Sequence, residues 1–208
     1  MAPMQRFFHD VSELNRMSGE AACALAGAHG LAESDPALVA FQRMRNHVGH
    51  CLETTSQYLG RYPEPLDEVQ RAARDARLRY LGQALFVGVM SNLEQGMRAT
   101  NLSRGNPLGL EPTRADVCPF GDLMKASAEH GMIPAGDLPL WATVARVRNR
   151  LIHFGGEALI DGKWEFPDGL TVETRKGEPI GGALSLFPRL TRWTVAGYSD
   201  WCGRMHAG

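Results

Sequence analysis

The stretch that decides the fold runs Leu138-Pro139-Leu140-Trp141-Ala142-Thr143-Val144-Ala145-Arg146-Val147-Arg148-Asn149-Arg150-Leu151-Ile152-His153-Phe154-Gly155-Gly156. Leu140, Val144, Val147 and Leu151 recur at helical spacing, which predicts a helix over 138–152 with one core face. Asp137 stands where an N-cap belongs, and Gly155-Gly156 supply the stop. Arg148, Asn149 and His153 are left at one border of the core face. Residues five apart on a helix differ by about 140° in azimuth. Arg148 and His153 therefore converge only if His153 sits where the helix ends and the chain turns at the glycines.

Outward from this segment the periodicity stays helical. A first helix is expected from Asp10, as its cap, to Ala26, with Val11, Leu14, Met17 and Ala21 on one face. A second runs from Ala37 to Gly60 on Leu38, Phe41, Met44, Val48, Leu52 and Leu59, launched by Glu33-Ser34-Asp35-Pro36. Arg61-Tyr62-Pro63-Glu64-Pro65 is a connector. A long third helix spans Leu66 to Thr100. Its charged first half is built around a thin stripe of Val69, Ala73 and Ala76, and its second half, Leu81 to Met97, is apolar on most sides. Gly82 and Gly88 are the places where it could break. Asn101 to Pro112 reads as a loop, followed by a helix over Phe120–His130.

Beyond Gly156 the period changes to two. Ala158-Leu159-Ile160, an Asp161-Gly162 turn and Lys163-Trp164-Glu165-Phe166 predict a hairpin, and Leu170–Thr174 a third strand. A closing helix from Pro188 carries Leu190, Trp193, Gly197 and Trp201. The expected fold is mainly α: one domain over 1–208 with N-terminal helices (1–60), a helical core (66–154), a small β appendage (157–175) and a closing helix (188–205).

Composition narrows the function. Net charge is −1, so no global basic field marks a nucleic-acid binder. Only three of the 22 basic side chains are Lys (Lys125, Lys163, Lys176). Arg matches phosphate with a planar fork, although a coding bias toward Arg and Ala explains the same excess. Cys23, Cys51, Cys118 and Cys202 form no CxxC pair, which argues against zinc and against a disulfide framework. His47, His50 and Cys51 lack a fourth metal ligand. No stretch approaches ~20 consecutive apolar residues, and Met1–Asp10 does not look like a secretory signal, so the expected location is the cytoplasm. No phosphate-cradling glycine loop, dinucleotide fingerprint or nucleophile elbow occurs, and no metal or cofactor is expected.

Arg148-Asn149-Arg150-Leu151-Ile152-His153 is the remaining candidate for chemistry. An Arg-x4-His string arises by chance roughly 0.6 times in this composition, and requiring Asn after the Arg lowers this to roughly 0.02. Arg45-Asn46-His47-Val48-Gly49-His50 matches the same string, but lies mid-helix, with the apolar stripe continuing to Leu59; a solvated polar face is the plainer reading of it. The later copy resembles the Arg-x4-His signature of the HEPN (higher eukaryotes and prokaryotes nucleotide-binding) superfamily. Leu81–Thr100, with Glu94, resembles the long earlier helix of those domains. The resemblance covers about residues 69–156.

It implies a helical bundle that forms a homodimer with the two signature helices facing each other. It also implies metal-independent RNA cleavage, in which the 2′-OH attacks the adjacent phosphorus. Arg148 would stabilise charge on the phosphoryl group, His153 would transfer the proton, and Asn149 would position them. Arg146 and Arg150 are candidates for phosphate contacts at the rim. Glu94 either orients a catalytic group or pairs with Arg98 at i+4. A toxin or phage-defence effector is the implied setting, with an antitoxin or other protein as a further partner. Two alternatives stand beside this: a non-catalytic HEPN-like module that binds nucleotide, RNA or protein, and an unrelated helical protein. For Trp141, Trp164, Trp193 and Trp201, base stacking competes with core and hairpin packing.

Overall fold

The computed structural model describes residues 3–62, 65–111 and 118–207. Pro63 and Glu64 of the connector and Pro112 at the end of the expected loop lie outside them. The described residues form α1 (Pro3–His29), α2 (Pro36–Arg61), α3 (Glu68–Ser103), α4 (Phe120–Glu129), α5 (Leu138–His153), β1 (Gly162–Glu165), β2 (Thr171–Thr174) and α6 (Leu186–Ala207). The chain adopts the expected mainly helical architecture with a small β appendage and a closing helix, but the appendage has two strands among the described residues rather than three, since residues 158–160 form none. Contacts α1–α2, α2–α3, α3–α6 and α6–α1 close a four-helix ring, while α4 and α5 pack together and α5 rests on α3. Phe7, Phe41, Phe86, Leu93, Tyr198 and Trp201 fill its centre.

The first helix begins seven residues earlier than expected, because Met4 and Phe7 extend the stripe of Val11 and Leu14 upstream. Asp10 is consequently no cap. It lies inside α1, 7% exposed, and its Oδ2 has no hydrogen-bond partner. Burial raises its carboxyl above the ordinary value, and Arg192, His9, Arg6 and Arg189 offset part of that rise. The start of α2 follows the usual chemistry: Asp35 Oδ1 accepts from Ala37 N at 2.9 Å, with Pro36 in the first turn. At α3 a reciprocal pair closes a capping box, Gln70 N donating to Asp67 Oδ1 at 2.7 Å and Asp67 N to Gln70 Oε1 at 3.3 Å.

Helix α3 is not interrupted at Gly82 or Gly88. The glycines admit neighbours instead. A Cβ at Gly82 would stand 3.2 Å from the Phe7 ring, one at Gly88 2.8 Å from His47 Nδ1, and one at Gly96 2.4 Å from Ala40 Cβ and 2.5 Å from the Tyr198 hydroxyl. The thin stripe also faces the other way: Val69 is 78% exposed, whereas Arg74 and Leu78 are buried. Arg74, Leu78 and Gly82 continue the four-spaced row that buries Phe86, Met90 and Glu94, so the long apolar half sets the azimuth of the short charged one.

Two further boundaries differ. Asp137 occupies the position before α5 but makes no capping hydrogen bond, since a 3-10 turn over Ala135–Asp137 holds it in helical geometry. The hairpin pairs β1 with β2 in antiparallel register, Trp164 opposite Val172 and Gly162 opposite Thr174. It does not fold about Asp161-Gly162. The reversal lies at Pro167-Asp168-Gly169, where Asp168 Oδ1 accepts from Leu170 N at 3.1 Å and Gly169 takes a positive φ. That tripeptide is the stronger turn former, with proline presetting φ and glycine supplying the left-handed residue. Ala158 bonds instead to the Gly177-Glu178 segment, and Asp161 Oδ1 accepts from Lys176 N.

Two outcomes follow. Gly96→Ala should lower the unfolding free energy by about 1–3 kcal/mol in urea denaturation, because the new methyl would overlap both Ala40 Cβ and the Tyr198 hydroxyl. Asp10→Asn should stabilise by about 1 kcal/mol at neutral pH, by removing a buried charge. The sign follows from the raised folded-state value: the wild-type cost is present at neutral pH and vanishes as pH falls to the unfolded value of 3.8. Melting curves of the two proteins should therefore converge in acid.

Candidate functional site

Helix α5 buries Trp141, Thr143, Val144, Val147 and Arg150, while Leu140 and Leu151 are half-buried. The core face is thus rotated slightly from the expected stripe, toward the side carrying Trp141. This brings Arg148 against α3. Its Nη2 lies 3.1 Å from Glu94 Oε2, and the other Glu94 oxygen accepts from Arg98. Arg98 Nε donates to the Cys118 carbonyl at 2.8 Å, ahead of α4. Glu94, 7% exposed, is therefore a carboxylate held between two guanidiniums; the expected pairing with Arg98 is present, and Arg148 is a second partner. A buried carboxylate requires such compensation.

Arg148 is held on one side and open on another. Its Nη1 donates to Asn149 Oδ1 at 3.1 Å, its Nε is buried without an acceptor, and about a fifth of the side chain reaches solvent. The fixed fork is suited to an oxyanion, because its orientation is set before a ligand arrives. Asn149 is exposed.

His153 is the last residue of α5 and is exposed. Its ring stands edge-on to Phe154 at 6.2 Å between centroids. Among the described residues it makes no hydrogen bond or ion pair, and none joins it to Arg148. Gly155 and Gly156, with φ of 63° and 85°, turn the chain away directly after it. The two groups thus lie on one helix end without meeting within one chain: Arg148 is pinned toward α3, and His153 sits at the tip.

Arg146 and Arg150 have different surroundings. Arg146 is exposed and lies over the Trp164 ring at 5.2 Å from its centroid, joining α5 to β1. Arg150 is buried. Its guanidinium stacks over Phe154 at 3.9 Å and donates to the Glu157 carbonyl, while its own carbonyl accepts from Phe154 N and Gly156 N. It clamps the helix end rather than lining an open rim.

Four large apolar side chains at or soon after the end of α5 in sequence, Ile152, Phe154, Leu159 and Ile160, are all exposed, Phe154 by 56%. The sequence reading passed over this patch, although Phe154 between His153 and two glycines has no core position to fill. Exposed apolar clusters of this kind mark contact surfaces. The earlier string lies elsewhere, mid-α2: Val48 is buried, the Arg45 guanidinium lies beside Gly19, and the His47 ring packs on Gly88. Cys51 is buried and its thiol is pushed up to about 11 by that burial. Of the tryptophans, Trp201 is fully buried and donates to Ser127 Oγ at 3.0 Å.

No protein-family model, curated protein or solved structure matches the chain. None of its helices, over the described residues, is long and apolar enough to cross a membrane.

Arg146 and Arg150 should separate in their effects. Arg150→Ala is expected to cost about 2 kcal/mol in urea unfolding, through a lost buried hydrogen bond and lost packing. Arg146→Ala should cost less than about 1 kcal/mol, as an exposed cation–π contact does.

Proposed function

We propose that this chain is a metal-independent endoribonuclease of HEPN type that works as a homodimer, with Arg148 and His153 at its centre. The observation that supports it best is the pairing of a pre-oriented Arg148, fixed by buried Glu94, with an unencumbered His153 at the same helix end. Arg148 binds the scissile phosphate and stabilises charge on its oxygens as the phosphorus becomes five-coordinate. His153 takes the proton from the RNA 2′-OH or gives one to the departing 5′-oxygen. The new bond joins the 2′-oxygen to phosphorus and the bond to the 5′-oxygen breaks, leaving a 2′,3′-cyclic phosphate and a 5′-OH. Asn149 holds the Arg148 fork in plane.

One chain offers one separated Arg/His pair. A two-fold copy docked through Ile152, Phe154, Leu159 and Ile160 sets two such pairs beside a single strand, and an isologous contact of this kind is the commonest route to a closed dimer. The implied setting is a cytoplasmic toxin or phage-defence effector, with an antitoxin or other protein as its regulator.

A second reading, the non-catalytic HEPN-like binding module, is favoured by one observation: Glu94 neutralises part of the Arg148 charge. It expects RNA or nucleotide binding without turnover.

Incubation with mixed cellular RNA in EDTA separates the two. The parent protein should generate 2′,3′-cyclic phosphate ends, and Arg148→Ala and His153→Ala should each lower the rate by at least about 100-fold with the fold intact. Phe154→Asp should give a monomer that fails to cut. Parent-like cleavage by both active-site variants would refute the mechanism, and binding without any cleavage would favour the module.

A further inference from the structure

At the opposite end of α5 from His153, a cavity of about 130 Å³ opens between the start of that helix and α6. Trp141 and Trp193 line it, their ring centroids 4.7 Å apart. Trp141 is almost wholly buried and reaches this position because residue 197 is glycine; a Cβ there would stand 2.5 Å from the indole. Ile133 and Pro134 add apolar wall, and Asp137 and Asp200 contribute the two carboxylates. Neither carboxylate has a hydrogen-bond or ion-pair partner among the described residues. Asp137 does not cap α5. Arg204, one turn beyond Asp200, is turned instead to the Gly131 carbonyl, to which it donates at 2.9 Å.

We propose that this cavity binds one organic cation, an alkylguanidinium or alkylammonium head, with Trp141 and Trp193 as its aromatic wall and Asp137 and Asp200 as counter-ions. Charge and size together select this class. An indole face attracts a cation through its quadrupole, most strongly where water is excluded. Two carboxylates repel phosphate, so the tryptophan pair does not serve as a platform for a nucleic-acid base. The volume also falls well below the roughly 300–1,000 Å³ of pockets that hold whole nucleotide-sized ligands, and it suits a single cationic group on a short alkyl stem. The apolar walls would strip a hydrated metal ion without offering it enough oxygen ligands. The site is independent of the ribonuclease reading, and no residue of it belongs to the Arg148–His153 segment.

Heteronuclear NMR of the indole N–H groups tests it, with n-butylguanidinium as the probe and the neutral isostere n-butylurea as control, at matched ionic strength. Of the four tryptophan indoles, those of Trp141 and Trp193 should shift saturably and those of Trp164 and Trp201 should not. A Kd on the order of millimolar is expected for so small a ligand. Asp200→Asn, at an exposed position, should weaken binding about fivefold or more, and Asp137→Asn with Asp200→Asn should abolish it. An N-acetyl-arginine methylamide arm identifies the source: tighter binding than butylguanidinium assigns the site to an arginine of another protein, weaker binding to a free small cation. An absent or non-saturable response, an equal response to butylurea, or unchanged affinity in the double variant overturns the proposal.

Discussion

The carboxylate of Glu94 is the constraint on which the arrangement of the site depends. Burying it on the apolar second half of α3 costs several kcal/mol, unless opposite charge and hydrogen bonds restore what water supplied. Two guanidiniums do so from different directions. Arg98 comes from the same helix and continues to the Cys118 carbonyl, and Arg148 comes from α5. One buried negative charge therefore ties α3, the approach to α4, and α5 into fixed relation. The helices α4 and α5 stand outside the four-helix ring; α5 contacts α3, and Trp201 with Ser127 and Trp193 with Trp141 join the pair to α6. The same tie fixes where the Arg148 fork points, which is the property a phosphate site requires.

The segment 146–153 divides its residues by the same logic. Arg148 is anchored, Arg150 is absorbed into the helix stop, Arg146 is shared with the hairpin, and His153 is left free at the tip. Ile152 and Phe154 beside it in sequence, and Leu159 and Ile160 further on, are exposed. In the proposed reading, the anchored Arg148 and the unencumbered His153 make a half-site that a second copy would complete. The Trp141–Trp193 cavity at the other end of α5 is built on the opposite electrostatic sign, with carboxylates in place of guanidiniums.

Much of this was legible in the sequence where local chemistry and period agree. Asp35-Pro36 and Gly155-Gly156 mark helix ends by residue type alone, and the three-four spacing of Phe41, Met44 and Val48 leaves little choice of face. The pairing of Glu94 with Arg98 follows from i+4 spacing. What escaped depends on distant neighbours. Gly82 and Gly88 look like breaks until Phe7 and His47 are seen to occupy the space that a side chain would fill. Val69, Ala73 and Ala76 look like a core stripe until the row from Leu78 onward fixes the azimuth of α3. Asp10 looks like a cap because Asp favours that role, yet Met4 and Phe7 carried the signal that the helix had already begun. Arg148 reaching Glu94 across 54 positions of sequence leaves no local trace at all.

A double-mutant cycle of Glu94→Gln and Arg148→Met, followed by urea unfolding, tests the tie between α3 and α5 most directly. If Glu94 holds Arg148 as described, the two substitutions should be coupled by about 1–2 kcal/mol. Additivity within about 0.3 kcal/mol would show that the pair does not fix the arginine and would contradict the account.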